Sequence, residues 1–166
     1  DTFGRLFSVI DPREFQNCFK EWVGDVSRKL NREVVAIDGK TLRRSYDRAS
    51  EKKAIHMISA WATDQNIVLG QYKTAEKSNE ITAIPILIKM LDLSGSIVTI
   101  DAMGCQKKIS SSIIEKKADY VLSLKENQPQ LYGDVKLYMD DIILSGKKGQ
   151  DFYYHETIDA DHGRIE

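Results

Sequence analysis

Apolar positions recur every three to four residues over the first thirty residues, and the chain then changes to short β-branched runs. Asp1 and Thr2 are candidate N-caps for a short helix carrying Phe3, Leu6 and Phe7. Asp11-Pro12 restarts the chain, with Pro12 at a natural first helical position. Phe15, Phe19, Trp22, Val23 and Val26 follow at helical spacing, a stripe that reads as core or as a docking face. Val34 to Ile37 reads as a buried strand that ends at Asp38-Gly39-Lys40. Ala54 to Ala62 and Ile67 to Tyr72 are predicted as two more strands, joined by a hairpin loop over 63–66. Ser78-Asn79-Glu80 opens a helix whose apolar face is Ile81, Ile84, Leu87, Ile88 and Leu91. A strand from Ile97 to Ile100 ends at Asp101; a helix over 106–117 and a strand from Tyr120 to Leu124 follow.

The order is three strands, helix, strand, helix, strand. Short turns between the first three strands predict an antiparallel meander, and the helical connections predict parallel crossovers. The expected fold class is α/β, a mixed sheet with helices on its faces. Beyond it, Leu131 to Leu144 reads as a helix, Phe152 to Ile158 as a strand and Asp161-His162-Gly163 as a turn.

Composition narrows the class. With 166 residues, 42% hydrophobic and 30% charged, the chain has an ordinary globular make-up and the length of one domain. Its longest apolar runs are far too short for a transmembrane helix. Cys18 and Cys105 cannot build a disulfide framework, so they read as reduced thiols in a cytoplasm. Trp22 and Trp61 read as core, Cys105 as a packed thiol, and His56 as a satisfied sheet-face or core histidine. His155 and His162 are too isolated for zinc. No secretory leader is read at the start. The chain begins without Met and stops straight after a glycine turn, and so reads as a fragment or truncated frame.

The formal charge of -1 argues on average against phosphate binding. The average hides a basic stretch, Lys40, Arg43, Arg44, Arg48, Lys52 and Lys53, just after the first strand. It also hides the acidic residues that matter. Asp38 and Asp101 each stand at the carboxyl end of an apolar strand, at a sheet edge where ligand sites gather. Close carboxylates repel unless a cation lies between them, and hard divalent ions such as Mg2+ take oxygen ligands. Two-metal phosphoryl-transfer sites need about three carboxylates around ions roughly 3.5–4 Å apart. The third belongs downstream, and spacing alone does not choose among Glu156, Asp159, Asp161 and Glu166.

Ala36-Ile37-Asp38-Gly39-Lys40-Thr41-Leu42-Arg43 resembles the first catalytic motif of DDE transposases, in particular the H-repeat-associated group of bacterial insertion sequences. Thr74 to Pro85 is similar to that group's segment between motifs, and Thr99 to Gln106 resembles its second motif. Leu124-Lys125-Glu126-Asn127-Gln128 is similar to its Lys-x-Asn-Gln segment, and His162 to Glu166 resembles the third motif. The resemblance implies a ribonuclease H-like core within the retroviral integrase superfamily, with catalytic, metal-binding Asp38, Asp101 and Glu166. It implies two Mg2+ ions per site, with Mn2+ as substitute, and DNA as partner, both transposon ends and target. Self-association in the DNA complex and a bacterial cytoplasmic location, nucleoid-associated on DNA, are expected with it. Residues 1–31 would be the helical end of a family-associated N-terminal domain, and 32–166 a catalytic core truncated at its C-terminal end.

DNA contacts are expected from Lys40, Arg43, Arg44, Lys125, Asn127, Gln128 and Arg164. For Lys125, Asn127 and Gln128 the alternatives are orienting an acidic ligand or forming a plain solvated loop. For Arg164 the alternative is a surface ion pair. The leading function is Mg2+-dependent phosphodiester hydrolysis and strand transfer at insertion-sequence ends. Two others stay open: an inactive mobile-element remnant that only folds or binds DNA, and a metal-dependent nuclease without strand transfer.

Overall fold

The computed structural model of the chain describes residues 2–27, 32–43, 45, 54–74, 80–146, 160–161 and 164–165. It has two compact units, Asp1–Gln128 and Pro129–Glu166. The first holds helices α1 (Thr2–Val9) and α2 (Pro12–Ser27) and strands β1 (Val34–Thr41), β2 (His56–Ala62) and β3 (Ile67–Thr74). Helix α3 (Glu80–Met90), strand β4 (Ile97–Ile100), helix α4 (Lys107–Glu115) and strand β5 (Asp119–Leu122) complete it. The second unit carries helix α5 (Pro129–Leu144) and a short antiparallel pair, β6 (Ala160–Asp161) and β7 (Arg164–Ile165).

The five strands of the first unit form one sheet in the order β3-β2-β1-β4-β5. β1 runs antiparallel to β2, and β2 to β3, as the short 63–66 turn requires. β4 is parallel to β1 and β5 is parallel to β4, because helices make those connections. This is the ribonuclease H-like mixed sheet expected from the element order. The strand ends move slightly: β2 starts at His56 and β5 at Asp119. The segment expected as a strand over 152–158, with His155 and His162, lies outside the described residues.

Alternation along the strands divides the sheet faces. Val35 and Ile37 of β1, Ile58, Ala60 and Ala62 of β2, and Val98 and Ile100 of β4 are buried together with Leu87 and Ile88 of α3 and Ile109 and Ile113 of α4. Each fully buried Val, Leu or Ile contributes about 1.5–3 kcal/mol relative to exposure. The two helices are tied by Lys116, whose Nζ donates to the carbonyls of Lys89 and Leu91, both at 2.8 Å, at the C-terminal end of α3. At the other end of the sheet, buried Glu33 closes the β2–β3 turn. Its Oε1 accepts from the backbone N–H of Asp64 and Gln65, both at 3.1 Å.

The N-terminal helices lie less deeply than their pattern suggested. Asp11 caps α2 through Oδ1, accepting from Arg13 N at 2.7 Å. Val23 reaches the core and Phe19 packs against it. Trp22, however, is 53% exposed and Trp61 38%. Trp22 lies one position away from Val23 around the helix and stacks its ring on Phe19 at 5.9 Å. Trp61 points to the opposite sheet face from its buried neighbours Ala60 and Ala62.

Candidate active site

The strand order brings the two proposed aspartates together. β1 and β4 are parallel neighbours, and their pairing runs through Val34↔Ile97 to Ile37↔Ile100. The next residue on each strand is an aspartate, so Asp38 and Asp101 leave adjacent strand ends in register, about 4.8 Å apart by strand spacing. Both follow a buried isoleucine, so both carboxylates belong to the face opposite the α3–α4 core, and both are exposed. A third polar side chain continues this row, since Asp38 pairs across β2 with Ser59, whose Oγ accepts from Gln71 Nε2 at 3.1 Å.

The chain leaves β4 through a one-turn 3-10 helix, Ala102–Gly104, capped by Asp101. Asp101 Oδ1 accepts from Met103 N at 3.1 Å, which fixes the rotation of the carboxylate. Gly104 lets the turn lie directly on β4: a Cβ there would overlap the Ile100 side chain. From β5's far end, the Asn127 amide donates through Nδ2 to Ala102 O at 2.7 Å. The Gln128 amide donates through Nε2 to Cys105 O at 3.1 Å. The Lys-x-Asn-Gln segment therefore binds the backbone on both sides of the turn that carries Asp101.

Other expected residues fall around this pair. Lys40 continues β1 two positions beyond Asp38 and is exposed, as is Arg43 just past the strand. Lys125 is exposed before Asn127. Arg164 belongs to β7 of the second unit. Arg44 and Glu166 lie outside the described residues.

The donor chemistry suits a hard divalent ion: two neighbouring carboxylates with nothing but oxygen donors, at an exposed sheet edge. Among the described residues no cluster of three or more His, Cys, Asp or Glu side chains has the geometry of a metal site. Asp38 and Asp101 thus fit as part of a site whose third carboxylate comes from elsewhere.

A model of the transposase DDE domain matches residues 29–161. The chain belongs to the DDE transposase domain family. Its curated relatives include "Putative transposase YncI" of Escherichia coli K12, 46% identical over all 166 residues and 66% of that protein. They also include "H repeat-associated putative transposase YhhI" of the same strain, 43% identical over the whole chain and 43% of that protein. The transposase domain described here spans 42% and 66% of the length of the two YncI relatives it matches. One chain of a cryo-EM piggyBac transposase synaptic complex with hairpin DNA aligns over 70% of this chain, with a TM-score of 0.41 and 14% identity, too slight a likeness to carry weight.

Beneath the aspartate row, on the α3-covered face, lies a polar group that reading the sequence did not assemble. His56 is buried as expected, hydrogen-bonded through Nε2 to Glu80 Oε1 and through Nδ1 to Thr41 Oγ1 at 2.9 Å. Glu80 had been read only as part of a helix start. A signal for it existed: a histidine inside an apolar strand needs a polar partner when buried.

Proposed function

We propose that this chain is the catalytic domain of a DNA transposase that performs divalent-metal-dependent phosphodiester hydrolysis and strand transfer at insertion-sequence ends. The observation that carries this reading is the register of Ile37 with Ile100, which sets Asp38 and Asp101 side by side. Membership of the DDE family supports the same pair as its first two carboxylates, with Glu166 as the third.

Asp38 and Asp101 would hold the ions as oxygen ligands, Asp101 in the orientation its bond from Met103 N imposes. Bound Mg2+ or Mn2+ would supply activation of a water or 3′-hydroxyl nucleophile and stabilisation of the leaving oxygen in an in-line displacement. Lys40 and Arg43, together with Arg44, Lys125 and Arg164, would neutralise phosphates of transposon-end and target DNA. Self-association would bring two ends together in one complex.

The test is cleavage and strand transfer on end-bearing duplex DNA with Mg2+ or Mn2+. Asp38→Ala and Asp101→Ala should each abolish both reactions; wild-type rates in either would overturn the assignment. Nicked DNA without joined product would identify a nuclease instead. Failure to bind Mn2+ at millimolar concentration would identify an inactive remnant.

A further inference from the structure

We propose that Glu80 and His56 are a buried positioning pair that holds the Asp38 segment of β1 in register from the far face of the sheet. This rests on the reading of Asp38 as a metal-binding carboxylate. The need for such a support follows from the pairing. β1 is hydrogen-bonded on both sides only as far as Ile37, where its ladder with β4 ends. From Asp38 to Thr41 only β2 pairs with it. The strand therefore loses one of its two neighbours at the residue whose position matters most.

Glu80, Gly39, Thr41 and His56 meet below that stretch. Gly39, Thr41 and His56 share the buried face by alternation, and Thr41 pairs with His56 across the strands. Glu80, the first residue of α3, is 6% exposed and His56 is 2% exposed. The imidazole donates from Nε2 to Glu80 and accepts at Nδ1 from the Thr41 hydroxyl, a consistent set of roles across the chain of bonds. The Glu80 carboxylate packs so closely on Gly39 that a Cβ there would come within 2.5 Å of Oε1 and 2.6 Å of Cδ. Gly39 is thus required for contact with Glu80, not for an unusual backbone angle. Glu80 bears on the residue next to Asp38, while Thr41 is bonded three residues on. A buried ionisable pair costs desolvation and is weak evidence of stability alone, so a role in fixing geometry is its better explanation. Glu80 at the N-terminal end of α3 is also favoured by the helix dipole.

The experiment measures Mn2+ affinity by titration calorimetry on the whole protein, beside cleavage as a function of Mn2+ and thermal unfolding. Asp38→Ala serves as reference and should lose Mn2+ binding. Glu80→Ala and Gly39→Ala should each weaken Mn2+ binding about tenfold, the loss usual for groups that orient metal ligands, and should raise the Mn2+ needed for half-maximal cleavage. Glu80→Gln, which keeps an acceptor for His56 Nε2, should recover most of the affinity. Adding Gly39→Ala to Glu80→Ala should cost little more, because the carboxylate in its way is gone. Wild-type Mn2+ affinity in folded Glu80→Ala or Gly39→Ala, even with lowered thermal stability, would make the pair merely structural and overturn the proposal. Should Glu80→Ala not fold, Gly39→Ala decides alone. Unchanged Mn2+ binding in Asp38→Ala would instead remove the catalytic reading itself.

Discussion

Asn127→Ala and Gln128→Ala each take one amide donor from the turn that carries Asp101. The bonds lost are Asn127 Nδ2 to Ala102 O at 2.7 Å and Gln128 Nε2 to Cys105 O at 3.1 Å. A neutral side-chain hydrogen bond contributes about 0.5–1.5 kcal/mol net. Asn127 is exposed, so its loss belongs at the lower end, since water can replace the amide; half-buried Gln128 belongs nearer the upper. The two bonds flank one turn and will not be strictly independent, so the double variant loses about 1–3 kcal/mol of order there. If ordering the Asp101 turn is required only in the reactive complex, that energy appears in the rate. About 1.36 kcal/mol is tenfold, giving roughly 2- to 12-fold for one bond and roughly 5- to 150-fold for both. The assay is single-turnover cleavage at saturating end DNA, with DNA affinity measured separately across salt. A positioning role lowers the saturated rate and leaves affinity and its salt slope alone. A phosphate-contacting role does the reverse, lowering affinity and flattening the slope at an unchanged saturated rate. A double variant that cleaves at the wild-type rate when saturated would refute the reasoning.

Neutralising Lys40 and Arg43 together should weaken DNA binding about equally for all sequences and reduce the slope of log affinity against log salt by about 2, near 0.9 per phosphate released; an unchanged slope would remove both from the DNA path. Glu33→Ala removes the acceptor of two backbone N–H groups in the β2–β3 turn and should cost roughly 2–3 kcal/mol in urea unfolding, because bonds to a charged acceptor exceed neutral ones. A loss under about 0.5 kcal/mol would mean that water satisfies that turn equally well.

The elements were legible because their signals are local. The β-branched run Val34–Ile37, the alternation of His56–Ala62 and the 3.6-residue stripe from Ile81 to Leu91 each reveal an element within one short window. The connections then decide the sheet: a four-residue turn forces β2 against β3, and helices force β4 and β5 parallel to β1. Even the acidic pair was within reach, because each aspartate follows the last apolar residue of its strand. The same local reading fails for Trp22, whose position in the stripe is one step off the residue that faces the core. A stripe five residues wide covers more of the helix surface than a sheet edge can bury.

What stayed illegible is contact between residues far apart in the chain. His56 meets Glu80 across 24 positions, Asn127 meets Ala102 across 25, and Glu33 meets Gln65 across 32. No window of sequence contains both partners, and each half has an ordinary local role: a sheet histidine, a helix start, a turn asparagine. Near-zero net charge misleads for the same reason. The total of 24 basic and 25 acidic residues sums groups that the fold assigns to different faces. Asp38 and Asp101 stand at one sheet edge, and Glu33 and Glu80 are buried in bonds of their own. Only the exposed charges act on a distant phosphate; buried, hydrogen-bonded carboxylates shape the sheet that holds the site. The charge that governs DNA affinity is therefore the local one around Asp38, where Lys40 and Arg43 stand, and not the sum over the chain.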